Sequence, residues 1–161
     1  MMKKIACAAL AGLALAASIP SIGHAANDPS KSWQDVRALV VRFNDAQNAH
    51  NLDVIGALMT DSPNFQWSFG QYQQRGKDAA LAQLAGMYQR ADWSVLPDYG
   101  NMDIRMTGPS SANIDMPVQY KASTAAQDTT LTAMVHEEAV RTSAGWRLSG
   151  VQVQTVETAA Q

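Results

Sequence analysis

Three observations in this 161-residue chain predict an α+β domain, with three N-terminal helices packed on one face of an antiparallel sheet. Apolar residues recur at helical spacing around Val36 to Ala46 and again around Leu81 to Tyr88. Beyond residue 93 that period gives way to two-residue alternation, the mark of strands with one dry and one wet face. Turn signals then punctuate the chain at Pro97-Asp98-Tyr99-Gly100, Gly108-Pro109-Ser110, Ala126-Gln127-Asp128 and Ser143-Ala144-Gly145.

The first 25 residues stand apart. Lys3 and Lys4 precede an apolar run from Ile5 to Ala17, Pro20 breaks it, and Gly23 and Ala25 are the small residues of a cleavage site. The run is shorter than the ~20 residues a spanning helix needs. Residues 1–25 are therefore expected to be a secretory signal peptide cleaved between Ala25 and Ala26, with the domain at 26–161 periplasmic or secreted. Cys7 lies in the removed part, so no disulfide and no lipid anchor is expected. The remaining 136 residues are one domain's length. They carry ten basic against fourteen acidic side chains, and no basic cluster suited to nucleic acid or an anionic membrane is evident in the sequence.

In the domain, Asp28-Pro29 or Ser32 offers the first helix start, Ser32-x-x-Asp35 forming a loose capping box. Val36, Leu39, Val40, Phe43 and Ala46 then line one helical face. A short helix on Leu52, Ile55 and Leu58 follows Asn51 and stops before Pro63. Asn64 to Phe69 reads as an aromatic strand and Gly70 to Gly76 as a loop. The third helix starts near Lys77-Asp78 and carries Leu81, Leu84, Ala85 and Tyr88. Residues 93–156 read as four alternating segments, clearest at Met102/Ile104/Met106 and Ile114/Met116/Val118/Tyr120.

This order resembles the nuclear transport factor 2-like superfamily, which includes the SnoaL-like cyclases, the ketosteroid isomerases and the calmodulin-dependent kinase association domain. The resemblance is carried by Phe43-x-x-Ala46 with Asn51-Leu52-Asp53, by Arg75-Gly76-Lys77-Asp78-Ala79, and by Gly145-Trp146-Arg147-Leu148. It implies a strongly curved, cone-shaped sheet closed by the helices, an internal pocket, and often a homodimer formed through the sheet's outer face. It implies no single activity, because such folds host isomerases, cyclases, dehydratases and proteins without catalysis.

His136 and Glu138 are the first candidates for chemistry, since a carboxylate beside an imidazole makes an acid/base unit. Two apart on one strand, they share a face. They point into the cone if Met134 and Val140 do, and away from it if Leu131, Ala133 and Val135 do. Tyr88, Tyr120, Trp67, Phe43 and Met134 are the expected pocket-lining residues, and the two hydroxyls need a partner or ligand there. Asp103-x-Arg105 resembles the pair of epoxide-opening relatives, but Met102, Ile104 and Met106 make the better core face, so it reads as a solvated ladder. The isomerase mechanism does not carry over, because helix one has no Tyr and the last strand reads Gln152-Val153-Gln154 where many relatives place a His and a Ser. No cofactor or metal is expected, since only His50 and His136 follow the leader and neither has ligand spacing. The sequence thus leaves open a pocket for a small, largely apolar molecule, a homodimeric interaction module, and a cofactor-free isomerase, cyclase or dehydratase.

Overall fold

The computed structural model describes residues 28–155, so the expected leader and its cleavage site lie outside the described residues. Helix α1 (Pro29–Asn48) begins where Pro cannot donate and none is needed, and the Asp28 side chain caps it by accepting from the Ser30 N–H at 2.9 Å. The Ser32 capping box is not used: Asp35 pairs with Lys31 instead, and Ser32 is buried. Asn51 caps α2 (Leu52–Leu58) through the Val54 N–H, and α3 spans Lys77–Arg90.

The strands are β1 (Gln66–Phe69), β2 (Tyr72–Arg75), β3 (Asp92–Pro97), β4 (Asp103–Gly108), β5 (Ser111–Ser123), β6 (Asp128–Thr142) and β7 (Gly145–Thr155). They form one sheet in the order β2-β1-β7-β6-β5-β3, and β4 also pairs with β5. Three expectations are corrected. Residues 70–76 are not a loop, because Gly70 at φ +56 turns the chain tightly and Tyr72–Arg75 returns along β1. Its Tyr-Gln-Gln-Arg sequence shows no alternation since an edge strand here is wet on both sides. The C-terminal region holds five strands rather than four. The sheet is mixed rather than antiparallel, since β1 runs parallel to β7.

Strand length explains the architecture. β5 pairs with β6 along its whole length, while its other edge is shared: residues 111–115 pair with β4 and 118–123 with β3. An irregularity opposite Glu138 and Ala139 skips Ser149 on β7, the kind of extra residue that bends a strand. The helices cover one face, and the core lies between them and the inward residues of β5, β6 and β7. Asn48 ties α1 to the sheet, accepting from the Val95 N–H at 2.7 Å and donating to the Val95 carbonyl at 2.9 Å.

Candidate functional site

Strand parity decides which side chains of β6 share the core. Ala133, Val135, Glu137 and Ala139 are buried, facing the buried row Ala112, Ile114, Met116 and Val118 of β5. Met134, His136 and Glu138 therefore lie on the outer face, away from the helices. The open question of orientation resolves outward, and Met134 does not line the interior with Phe43, Trp67 and Tyr120. Those three are buried on the inner side, whereas Tyr88 is half-buried on α3.

The acid inside is Glu137. It is 2% exposed, and its Oε2 has no hydrogen-bond partner among the described residues. Burial alone pushes its carboxyl from 4.5 up to about 8, because among the described residues no cation or donor offsets the loss of water around the charged form. At neutral pH Glu137 is a neutral carboxylic acid. It sits mid-sheet in a row running Ile114, Glu137, Val151, Trp67 across four strands. Above the sheet, α1 contributes the buried Val40, Phe43, Asn44 and Gln47, with the Phe43 and Trp67 rings 6.4 Å apart.

Asn44 and Gln47 are bonded, to the Val40 carbonyl and to each other, but two further polar groups are short of partners. The Trp67 Nε1 and Tyr88 hydroxyl have none among the described residues. Burial raises the Tyr88 phenol to about 12, and it raises Tyr120 further, with the negative field of Glu137 adding to the effect. Tyr99 is raised by burial as well, against the lowering effect of a hydrogen bond to Asn44. Phe69, Trp93 and Tyr120 meet edge-on or tilted, with centroids 5.3 to 5.7 Å apart, and form an aromatic collar at the Tyr120–Leu131 end of the sheet. Beside it His50 stacks on Tyr88 at 4.2 Å and donates from Nε2 to the Trp93 carbonyl at 2.7 Å, which fixes its tautomer when neutral.

The outer face has its own constellation. His136 Nδ1 bonds to Asp115, directly opposite on β5, and Arg105 joins the other Asp115 oxygen while reaching Asp103 at 2.7 Å. Desolvation would raise the Asp115 carboxyl, but the hydrogen bonds from His136 and Arg105 outweigh it and hold it below the usual range. These groups line a polar trough of about 340 Å³ with Gln66, Gln152 and Glu138. Asp103 and Arg105 are thus the solvated ladder the sequence suggests, extended by two residues. Glu138 is not the partner of His136. Among the described residues no three His, Cys, Asp or Glu side chains gather at metal-binding geometry.

Glu137 is the functional candidate that sequence reasoning passed over. Its signal was available: the alternation Leu131, Ala133, Val135 continues through 137 to Ala139, placing a carboxylate in an apolar row.

No protein-family model matches the chain, and none of the curated protein sequences matches it. Solved structures match in fold. A nuclear transport factor 2-like superfamily protein from Salmonella enterica superposes with a TM-score of 0.73 at 14% identity, covering 83% of this chain and 96% of that one. A ketosteroid isomerase-like protein from Erwinia carotovora gives 0.67 at 13% identity, covering 80% and 98%. A cystatin-like-fold protein from Caulobacter vibrioides gives 0.68 at 15% identity, covering 79% and 91%. The chain has the nuclear transport factor 2-like, cystatin-like fold.

Proposed function

We propose that this chain binds a small, largely apolar molecule between its helices and the inner sheet face, holding a carbonyl-type acceptor of that molecule on Glu137. The observation that carries the reading is the buried carboxyl of Glu137, whose Oε2 has no hydrogen-bond partner among the described residues. Leaving a buried polar group unpaired costs about 1–3 kcal/mol, so a ligand that accepts its proton recovers free energy that water cannot reach. Phe69, Trp93 and Tyr120 would supply the apolar contact. The resemblance to a ketosteroid isomerase-like structure supports a ligand in this interior. An acid with a pKa near the working pH is also chemically suited to donate a proton to such an acceptor. We place the protein outside the cytoplasm, which Lys3, Lys4, the Ile5–Ala17 run and Gly23-His24-Ala25 support.

The test is a fluorescence titration with a naphthyl ketone dye and, in parallel, a naphthylamine of similar size without the carbonyl. The ketone is expected to bind about tenfold tighter, the equivalent of one hydrogen bond. Glu137→Leu keeps the apolar affinity and loses the preference, while Glu137→Gln retains a donor and keeps it. Above pH 8 the wild type loses the preference as the acid ionises. Equal affinity for both dyes at pH 7 sinks the proposal.

A second reading rests on the outer face of β4 to β7, which no described helix covers. It would serve as the contact between two copies of the chain, with the polar trough at its centre. Sedimentation at micromolar concentration tests it: a monomer that stays a monomer removes this reading and leaves the first intact.

A further inference from the structure

The register of the sheet sets two rows of residues side by side on its outer face. Asp103, Asp115, His136, Gln152 and Ser68 stand opposite one another across β4, β5, β6, β7 and β1. Two residues along each strand, Arg105, Asn113, Glu138, Gly150 and Gln66 make the second row. Residues paired in register share a face, and so do residues two apart on one strand, so both rows stand on the same side of the sheet. Gly150 is the member of the two rows without a side chain, and a methyl group there would lie 3.5 Å from Glu138 Oε2 and 3.7 Å from the Gln66 carbonyl oxygen. Gly150, Glu138, Gln66, His136 and Gln152 all line the trough of about 340 Å³.

One side of the trough is held in place by bonds across three strands. Arg105 donates to Asp103 at 2.7 Å and also to Asp115, whose other oxygen accepts from His136 Nδ1. Those bonds keep Asp115 ionised, so the proton it accepts belongs to the imidazole, and the neutral ring carries its lone pair on Nε2. The remaining wall is uncommitted. The Glu138 carboxylate and the Gln66, Asn113 and Gln152 amides make no side-chain hydrogen bond or ion pair among the described residues.

This set of groups selects among ligands. No large apolar side chain stands in either row, so an apolar molecule would bury little surface there. A small anion would face Glu138, and a small cation would leave the amide N–H donors unmet. A hydroxyl group both donates and accepts, as the amides do. We propose that the trough binds a small neutral polyhydroxylated molecule, its hydroxyls donating to Glu138 and His136 Nε2 and accepting from the Gln66 and Gln152 amides. Asp115 and Arg105 are positioning residues, holding the imidazole so that Nε2 is its acceptor. The site lies on the opposite face of the sheet from Glu137 and needs that face open to solvent.

The test titrates the chain with sorbitol and with methyl glucoside, against ethanolamine hydrochloride and sodium acetate at matched ionic strength. The His136 ring resonances, identified by their loss in His136→Gln, are expected to shift saturably with at least one of the two polyols below about 200 mM and to stay still in both salts. Glu138→Ala weakens binding about tenfold and Gln152→Ala about fivefold, at unchanged melting temperature because both side chains are exposed. Asp115→Ala frees the ring proton to move to Nε2, so the nitrogen shifts of the neutral imidazole change together with the loss of affinity, which a merely structural role would not produce. Glu137→Leu, on the inner face, leaves polyol binding unchanged. The absence of a saturable shift with either polyol, an equal shift with either salt, unchanged affinity in both Glu138→Ala and Gln152→Ala, or a stable dimer that buries this face overturns the proposal.

Discussion

Glu137→Gln is expected to make the protein more stable, and increasingly so as pH rises. The unfolded chain releases this proton around pH 4.5, whereas the folded chain holds it until about pH 8 because the carboxyl is buried without a partner. Between those values the unfolded state binds fewer protons than the native state. Stability therefore falls as pH rises through that window and levels off above it. With 1.36 kcal/mol per pH unit, the loss relative to pH below 4 is about 1 kcal/mol at pH 5, about 3 at pH 7 and about 5 at pH 9. Gln has the same shape and cannot ionise, so its variant escapes that slope. Urea unfolding of both proteins at pH 5, 7 and 9 reads the difference directly. Curves that run parallel, with a constant gap at all three pH values, refute the claim that Glu137 is an unpaired buried acid.

Three further expectations follow from the same geometry. Asn48→Ala removes both hydrogen bonds to Val95 on the edge of β3 and is expected to cost about 2 kcal/mol in urea unfolding, at about 1 per bond; a loss under 0.5 would mean water replaces the side chain freely. His136→Ala acts on the partly exposed outer face, where its hydrogen bond with Asp115 is worth under about 1 kcal/mol. It is expected to leave naphthyl ketone affinity unchanged, and a tenfold loss would move the ligand to the trough. Phe43→Ala empties a fully buried site against Trp67 and is expected to cost about 3–5 kcal/mol by thermal or urea unfolding.

The elements legible in the sequence are those whose pattern is set by a single face. α1 shows its stripe from Val36 to Ala46, Asn51 caps α2, and the inner row of β5 alternates cleanly, because each presents one side to the core and the other to water. What escaped has the opposite character. β2 has no buried face to write into its sequence, and the parallel pairing of β1 with β7 joins segments 84 residues apart that carry no local sign of each other. Of the residues the sequence offers for the interior, Phe43, Trp67 and Tyr120 are buried on the inner side, and the acid beside them, Glu137, is not among those it offers. His136 and Glu138 stand out by residue type as a chemical pair, while Glu137 continues the apolar row of Leu131, Ala133 and Val135 and so shares its face. A single step of parity moves a side chain to the opposite face, so chemistry by residue type without phase selects the wrong neighbour.

That same step separates two kinds of carboxyl chemistry on one sheet. Glu137 and Asp115 lie on adjacent strands, one pair apart in register, yet burial without partners keeps the first protonated at neutral pH. Hydrogen bonds from His136 and Arg105 keep the second ionised against its own desolvation. The inner face can donate a proton and the outer face can accept one, and neither property belongs to the residue type. On the proposed reading an apolar ligand favours the interior over the trough because only the interior removes its apolar surface from water as well as offering a donor. Exchanging the environments should exchange the roles: His136→Leu with Arg105→Leu strips Asp115 of both partners, and its carboxyl is expected to titrate higher than in the wild type by NMR while Glu137 stays near 8. If Asp115 stays low in that variant, the backbone of β5 rather than its two partners sets its charge, and the contrast between the faces needs another cause.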